Sequence, residues 1–325
     1  MNHISSITPD ADECIDFEVP VPAHLADRLG SSVRATLTGA PDAPLVVALG
    51  GISADRFVMR KPCGGTGWWK GLVGEGCVVD SSRYRVLGFD FAADATGATA
   101  PSTREQAEVL AAILDAIGAE RADAMIGASY GAMIALAFAE AFPDRVGRLV
   151  VVSAADAPHP SATAMRELQR RTVALGLAHG QGDEALGIAR GIAMMTYRTR
   201  DEFAERFEGG LKDADPLGRT DCGDYLRARG EAYPKVMSPA RFLSLSASID
   251  RHKVDPAAIN VPVLLIGATS DQLVPPADMQ RLADRLGGPA EFHLLDSFYG
   301  HDMFLKNADQ VAALVAPFLK EGLGR

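Results

Sequence analysis

The chain has 325 residues, 47% hydrophobic and 23% charged, enough to bury a sizeable core in one large α/β domain or one domain carrying an insertion. Its formal net charge is −10. No run of Lys and Arg offers a nucleic-acid footprint and an acidic surface opposes anionic membranes, so the charge reads as solubility.

In chain order, residues 33–37 and 43–49 predict strands, the second ended by Gly50-Gly51. A loop with Gly and Trp follows at 63–76. Residues 84–91 predict another strand, closed by a small-residue loop at 92–102. Residues 103–117 have helical spacing, with Ala107, Leu110, Ile113, Leu114 and Ile117 on one face. Ser102 or Thr103 is placed to cap that helix, with Glu105 and Gln106 nearby. A strand at 122–126 leads into an amphipathic run at 132–142, and 148–152 predicts the next strand. Short apolar runs alternating with helices imply an α/β fold, its mainly parallel sheet flanked by helices on both faces.

The rhythm changes at 158–254, which is rich in Arg, Glu, Ala and Met, with helical spacing clearest at 162–177 and 183–197. This stretch is expected to be a helical lid insertion over the sheet edge, leaving 1–157 and 255–325 as the core domain. Strands return at 261–268 and 290–295 around a helix at 277–286. A last helix covers 307–319.

Gly127-Ala128-Ser129-Tyr130-Gly131 fits G-x-S-x-G between a strand and a helix. In that setting it is a nucleophile elbow, a turn so sharp that the serine backbone is strained and its hydroxyl stands above the sheet edge. The five letters alone are weak, and Ser129 as a plain helix cap is the bland alternative. A serine hydroxyl needs a base, and the base needs an acid to fix its tautomer. In this fold the chain order is Ser, acid, His. Asp271 follows the strand at 261–268 and His301 follows the strand at 290–295, which makes them the acid and the base. His293 falls inside a strand, His159 and His252 lie in or beside the insertion, and Asp296 is too near His301. The backbone N–H groups of Tyr130 and Ile52 are the expected oxyanion donors, with Gly51 the alternative to Ile52.

The four cysteines, Cys14, Cys63, Cys77 and Cys222, form no C-x-x-C and suit reduced thiols in a cytoplasm. Residues 1–17 lack the basic start and apolar block of a signal peptide. No apolar run reaches membrane-spanning length. The histidines form no H-x-x-x-H or H-E-x-x-H, so neither a metal nor a bound cofactor is expected.

Three further segments accompany these residues. Gly67-Trp68-Trp69 continues through Gly76 to Asp80 and Arg83-Tyr84-Arg85-Val86. Thr196-Tyr197-Arg198 is followed by Phe203 and Arg206-Phe207. Tyr225-Leu226-Arg227 runs on to Gly230. With Gly300-His301-Asp302-Met303-Phe304, they resemble the homoserine O-acyltransferases of the α/β-hydrolase superfamily over roughly residues 44–310. The resemblance implies transfer of an acetyl or succinyl group from acyl-CoA to the hydroxyl of L-homoserine, through a Ser129 acyl-enzyme, in methionine biosynthesis. Acyl-CoA would be a co-substrate and the other partners small molecules. Arg198 would take the amino acid's carboxylate and Asp302 its ammonium, as their chemistry allows. A homodimer is implied by resemblance alone. Two departures bear on the substrates: the loop at 92–101 is compressed, and Tyr130 stands beside the nucleophile, where it is expected to reshape the acyl pocket. A serine acceptor, a serine esterase or thioesterase using the same triad, and a non-catalytic relative are the alternatives.

Overall fold

The computed structural model describes residues 14–59, 61, 65–211 and 214–323. The chain opens with β1 (Ile15–Pro20), α1 (Ala23–Leu29) and β2 (Ser32–Thr38). β1 and α1 carry no sequence signal above. β1 is an edge strand in which exposed Asp16, Glu18 and Pro20 alternate with more buried apolar residues, so it shows no apolar run. β3 (Leu45–Leu49), β4 (Arg85–Phe89), α2 (Thr103–Ala116), β5 (Ala124–Ala128), α3 (Tyr130–Ala141) and β6 (Leu149–Val152) follow close to their predicted places. α2 starts at a capping box. The Ser102 hydroxyl accepts from the Glu105 N–H at 3.1 Å, and the Glu105 carboxylate accepts from the Ser102 N–H at 2.6 Å.

The sheet has eight strands in the order β1-β2-β4-β3-β5-β6-β7-β8, with β7 at Val263–Ala268 and β8 at Ala290–Leu295. β4 to β8 run parallel in that order, whereas β1 and β2 pair antiparallel at one edge. β3, β5, β6 and β7 are buried along their whole length. Val47 and Leu49 pack on the side of α1, α2 and α3, while Val46 and Ala48 face Trp69, Leu72 and Phe318 on the other side. Burying each such side chain contributes roughly 1.5–3 kcal/mol, whereas an exposed ion pair contributes about 0–1 kcal/mol. The sheet therefore fixes where its C-terminal loops stand.

Between β6 and β7 the chain forms α4 (Pro160–Ala178), α5 (Gly182–Tyr197), α6 (Arg200–Arg206), α7 (Asp221–Ala232) and α8 (Pro239–Asp250). α9 (Pro276–Arg285), α10 (Met303–Lys306) and α11 (Ala308–Leu323) complete the fold. Cys14, Cys77 and Cys222 are free thiols, and Cys63 lies outside the described residues. Among the described residues no helix is long and apolar enough to cross a membrane, and no group of His, Cys, Asp and Glu could hold a metal ion.

Candidate active site

The loops after β3 and β5 meet where the strand order reverses, since the chain places β4 on one side of β3 and β5 on the other. Ligands bind at such switch points because the diverging loops open a crevice there. Ser129 lies in that crevice with φ 53 and ψ −119, one of two described non-glycine residues at positive φ. A non-glycine residue holds that conformation only where its surroundings over-determine it. Here they do. The Ser129 N–H donates to the Val152 carbonyl at 2.9 Å, and the Ser129 carbonyl accepts from the Ala132 and Met133 N–H groups. A Cβ on Gly127 would fall 2.4 Å from the Ala132 Cα, so only glycine allows this turn.

The Ser129 hydroxyl is 2.8 Å from His301 Nε2, and His301 Nδ1 is 2.8 Å from the Asp271 carboxylate. With the proton on Nδ1 donated to Asp271, Nε2 is free to accept the serine proton. Asp271 also accepts from the Leu273 and Val274 N–H groups at 2.9 and 3.0 Å, which orients its carboxylate. Burial opposes protonation of His301, but the Asp271 charge and hydrogen bond outweigh it and raise the imidazole above its ordinary value. His293 and Asp296 stand away from this chain of bonds. His293 neighbours Glu291 on β8, and Asp296 accepts from Thr269. His252 is fully buried and bonds Thr103 and the Ala155 carbonyl. Its pKa is pushed down to about 4 by burial, so it stays a neutral cross-brace.

Among the described residues no acceptor takes the N–H of Tyr130 or of Ile52. Tyr130 is the first residue of α3, and its N–H lies free at the positive end of the helix dipole. Gly131 N–H donates to the Gly50 carbonyl at 2.8 Å, which binds the helix start to the loop after β3.

Two cavities share Ser129, Ile52, Tyr197 and His301. The outer one is lined further by Gly51, Trp68, Arg190, Asp302, Phe304 and Leu305. The inner one runs under α4 and α8, past Met165, Arg166, Gln169, Phe242, Ser246 and Ile249.

A model of the alpha/beta hydrolase fold matches residues 44–308. A homoserine O-succinyltransferase of Xanthomonas campestris is 40% identical over 94% of this chain and 83% of its own length. The chain belongs to the homoserine O-acyltransferase family. A homoserine O-acetyltransferase of Thermus thermophilus is 32% identical, over 80% of this chain and 74% of its own. The solved homoserine O-acetyltransferase of Bacillus anthracis has a TM-score of 0.83 at 15% identity, covering 96% of this chain and 98% of its own. Esterase E22 has a TM-score of 0.83 at 20% identity, covering 94% and 99%. These two structures share the fold, which serves hydrolases and acyltransferases alike.

The structure places two of the residues singled out in the sequence away from the cavity walls. Arg198, expected on the substrate, does not line either cavity. It follows the last turn of α5 with extended backbone (φ −110, ψ 158), and its side chain is buried against Glu202. Arg198 Nη2 lies 3.5 Å from Asp302. The arginine on the outer cavity is Arg190, its guanidinium over the Tyr197 and Tyr233 rings at 5.4 and 4.8 Å. Sequence reasoning missed it, although Arg190 and Tyr197 are seven apart and share a helix face. Tyr130 does not shape the pocket with its side chain. Its ring is edge-on to Phe91, and its hydroxyl bonds Gln106 at 3.1 Å and Ser248 at 2.6 Å, on the core side of α3. Asp302 does line the outer cavity, and burial raises its carboxyl above the ordinary range, against the pull of Arg198, His301 and Arg190.

Proposed function

We propose that the protein moves an acyl group from acyl-CoA to the side-chain hydroxyl of L-homoserine through an acyl-enzyme on Ser129. The chain of 2.8 Å bonds from Ser129 through His301 to Asp271 carries this reading. Ser129 Oγ attacks the thioester carbonyl while His301 Nε2 takes its proton, and the C–S bond breaks as the sulfur recovers that proton. The acceptor hydroxyl then gives its proton to His301 and attacks the acyl carbon, and Ser129 leaves with the proton returned. Asp271 steadies the imidazolium in both halves. The N–H groups of Ile52 and Tyr130 receive the oxyanion, and each such donor typically contributes roughly 3 kcal/mol in the transition state.

The outer cavity supports an amino-acid acceptor. Arg190 offers a fork to a carboxylate and Asp302 a partner to an ammonium, both on the wall that Ser129 shares. The inner cavity supports a succinyl donor, because Arg166 lines it and lies near enough to His301 to oppose its protonation. The Xanthomonas campestris relative carries that donor in its name. Residues 158–254 act as a lid, since α4, α5 and α8 supply walls to both cavities.

Exposure to succinyl-CoA or acetyl-CoA followed by intact-mass measurement tests the first half: Ser129 gains the acyl mass and Ser129→Ala does not. Release of CoA thiol with homoserine, with serine and with neither tests the second half. Release that homoserine does not accelerate would convert the reading to a thioesterase.

A further inference from the structure

We propose that Arg198, held by Glu202, is a positioning residue that keeps Asp302 ionised and aimed at the acceptor's ammonium. This rests on the acceptor reading above. Arg198 and Glu202 are 8% and 3% exposed, so their ion pair is dry. Glu202 also accepts from Arg206 at 2.8 Å. The Tyr225 ring lies beneath both arginines, 5.9 Å from Arg198 and 4.6 Å from Arg206. Apolar side chains of similar volume usually stabilise a core better than buried ion pairs do. Arg198 Nε and Glu202 Oε2 are moreover buried without a partner among the described residues.

The turn that bears this pair is tied to both loops of the catalytic chain. Thr199 Oγ1 accepts from the Glu202 N–H at 3.0 Å and donates to the Phe298 carbonyl at 2.8 Å, just before His301. Gln272 Nε2 donates to the Arg198 carbonyl at 3.4 Å, beside Asp271. Arg198 thus reaches Asp302 from a turn tied to the loops that carry Asp271 and His301, and unlike Asp302 it does not line the outer cavity.

The charged groups around Asp302 are Arg198, His301 and Arg190, which favour its ionised form, and Glu202, which disfavours it. Burial disfavours ionisation more than any of them. Without Arg198 the carboxyl keeps the burial and the Glu202 charge and loses its nearest cation, so it protonates at higher pH. A neutral carboxyl cannot pair with an ammonium.

The test is the pH profile of kcat and of KM for homoserine in Arg198→Met and Glu202→Gln, with Ser129 acylation by acyl-CoA followed separately by mass. Arg198→Met is expected to raise the homoserine KM several-fold at neutral pH and to move up, by about one pH unit, the acid limb of 1/KM, which reads Asp302 apart from the His301 limb seen in acylation. Glu202→Gln is expected to move that limb down. Arg198→Lys, which keeps the charge, is expected to recover part of the loss. Opposite displacements support the electrostatic role. Limbs that stay in place, or variants that slow acylation as much as transfer, overturn it. A melt of each variant separates these outcomes from unfolding, and if Arg198→Met unfolds, the Lys and Gln variants still decide. Failure of the wild-type protein to acylate Ser129 would instead remove the acyltransfer reading itself.

Discussion

Asp250 grips Arg166. One carboxylate oxygen accepts from its Nε at 2.8 Å and from its Nη2 at 2.6 Å, while the other oxygen accepts from Arg170 at 2.6 Å. Two guanidinium groups share one carboxylate, so this patch of the inner wall keeps a positive charge fixed in direction, whereas Asp278 on the same cavity is paired to Arg281. A succinyl carboxylate entering from Ser129 meets a cation that is already oriented, whereas an acetyl group gains nothing from it. Arg166→Leu is therefore expected to lower kcat/KM for succinyl-CoA by about 10- to 100-fold, the worth of a hydrogen bond to a charged group, and to leave acetyl-CoA within a few-fold. Competing the two donors in one reaction and weighing the acyl-enzymes would check it. An equal fall for both donors would make Arg166 a structural residue.

Asp271→Asn separates orientation from charge. In the wild-type protein Asp271 raises the His301 pKa, and a histidine base works only when neutral, so activity is expected to increase with pH through a limb above the ordinary histidine value. The amide removes the charge and presents the wrong hydrogen-bonding group to Nδ1. The acylation rate is expected to fall about 10⁴-fold, while the limb moves to lower pH. Stopped-flow release of CoA thiol across pH 5–9 reads both. A slower enzyme whose limb is unmoved would show that Asp271 does not tune His301.

The sequence makes the bonded chain of Ser129, His301 and Asp271 legible and the cavity walls obscure, and the difference is physical. β3, β5, β6 and β7 are buried on both faces, so they appear as unbroken apolar runs; Ser129 directly follows β5, and Asp271 stands in the loop that follows β7. Walls depend on the direction a helix faces. Arg190 and Arg166 are ordinary arginines on amphipathic helices until the packing of α5 and α4 turns them toward Ser129. Arg198, one residue after Tyr197, falls past the helix end and is buried against Glu202, 3.5 Å from Asp302. Tyr130 adjoins the nucleophile in sequence, yet the first turn of α3 directs its side chain into the core.

That direction makes Tyr130→Phe informative. The phenol bridges Gln106 and Ser248, joining α2 to α8 beneath the elbow. Removing it leaves two buried polar side chains short of a partner, at a cost of about 1–3 kcal/mol. The ring contact with Phe91 survives. Denaturant unfolding is expected to reveal the lost stability, and the succinyl-to-acetyl preference is expected to hold. A changed donor preference would mean that the phenol communicates with the acyl cavity.

Gly131→Ala tests whether the two proposed oxyanion donors depend on the contact between α3 and β3. A Cβ there would lie 2.5 Å from the Leu49 carbonyl carbon and oxygen, which are backbone atoms with no rotamer to yield. The helix start and the loop after β3 must separate, and the 2.8 Å bond from Gly131 N–H to the Gly50 carbonyl must lengthen. Ile52 belongs to that loop, so its N–H moves away from the Tyr130 N–H. Overpacking of this kind costs about 1–3 kcal/mol, and losing one oxyanion donor lowers kcat about 10²- to 10³-fold. Gly51→Ala is the contrast, because its Cβ would stand 3.9 Å from the Ser129 Cβ, an ordinary contact, and its melting temperature is expected to stay near that of the wild type. Comparing acylation bursts at a temperature where Gly131→Ala is still folded isolates the catalytic loss from the structural one. A folded Gly131→Ala protein with a wild-type burst would dissociate the oxyanion donors from this contact.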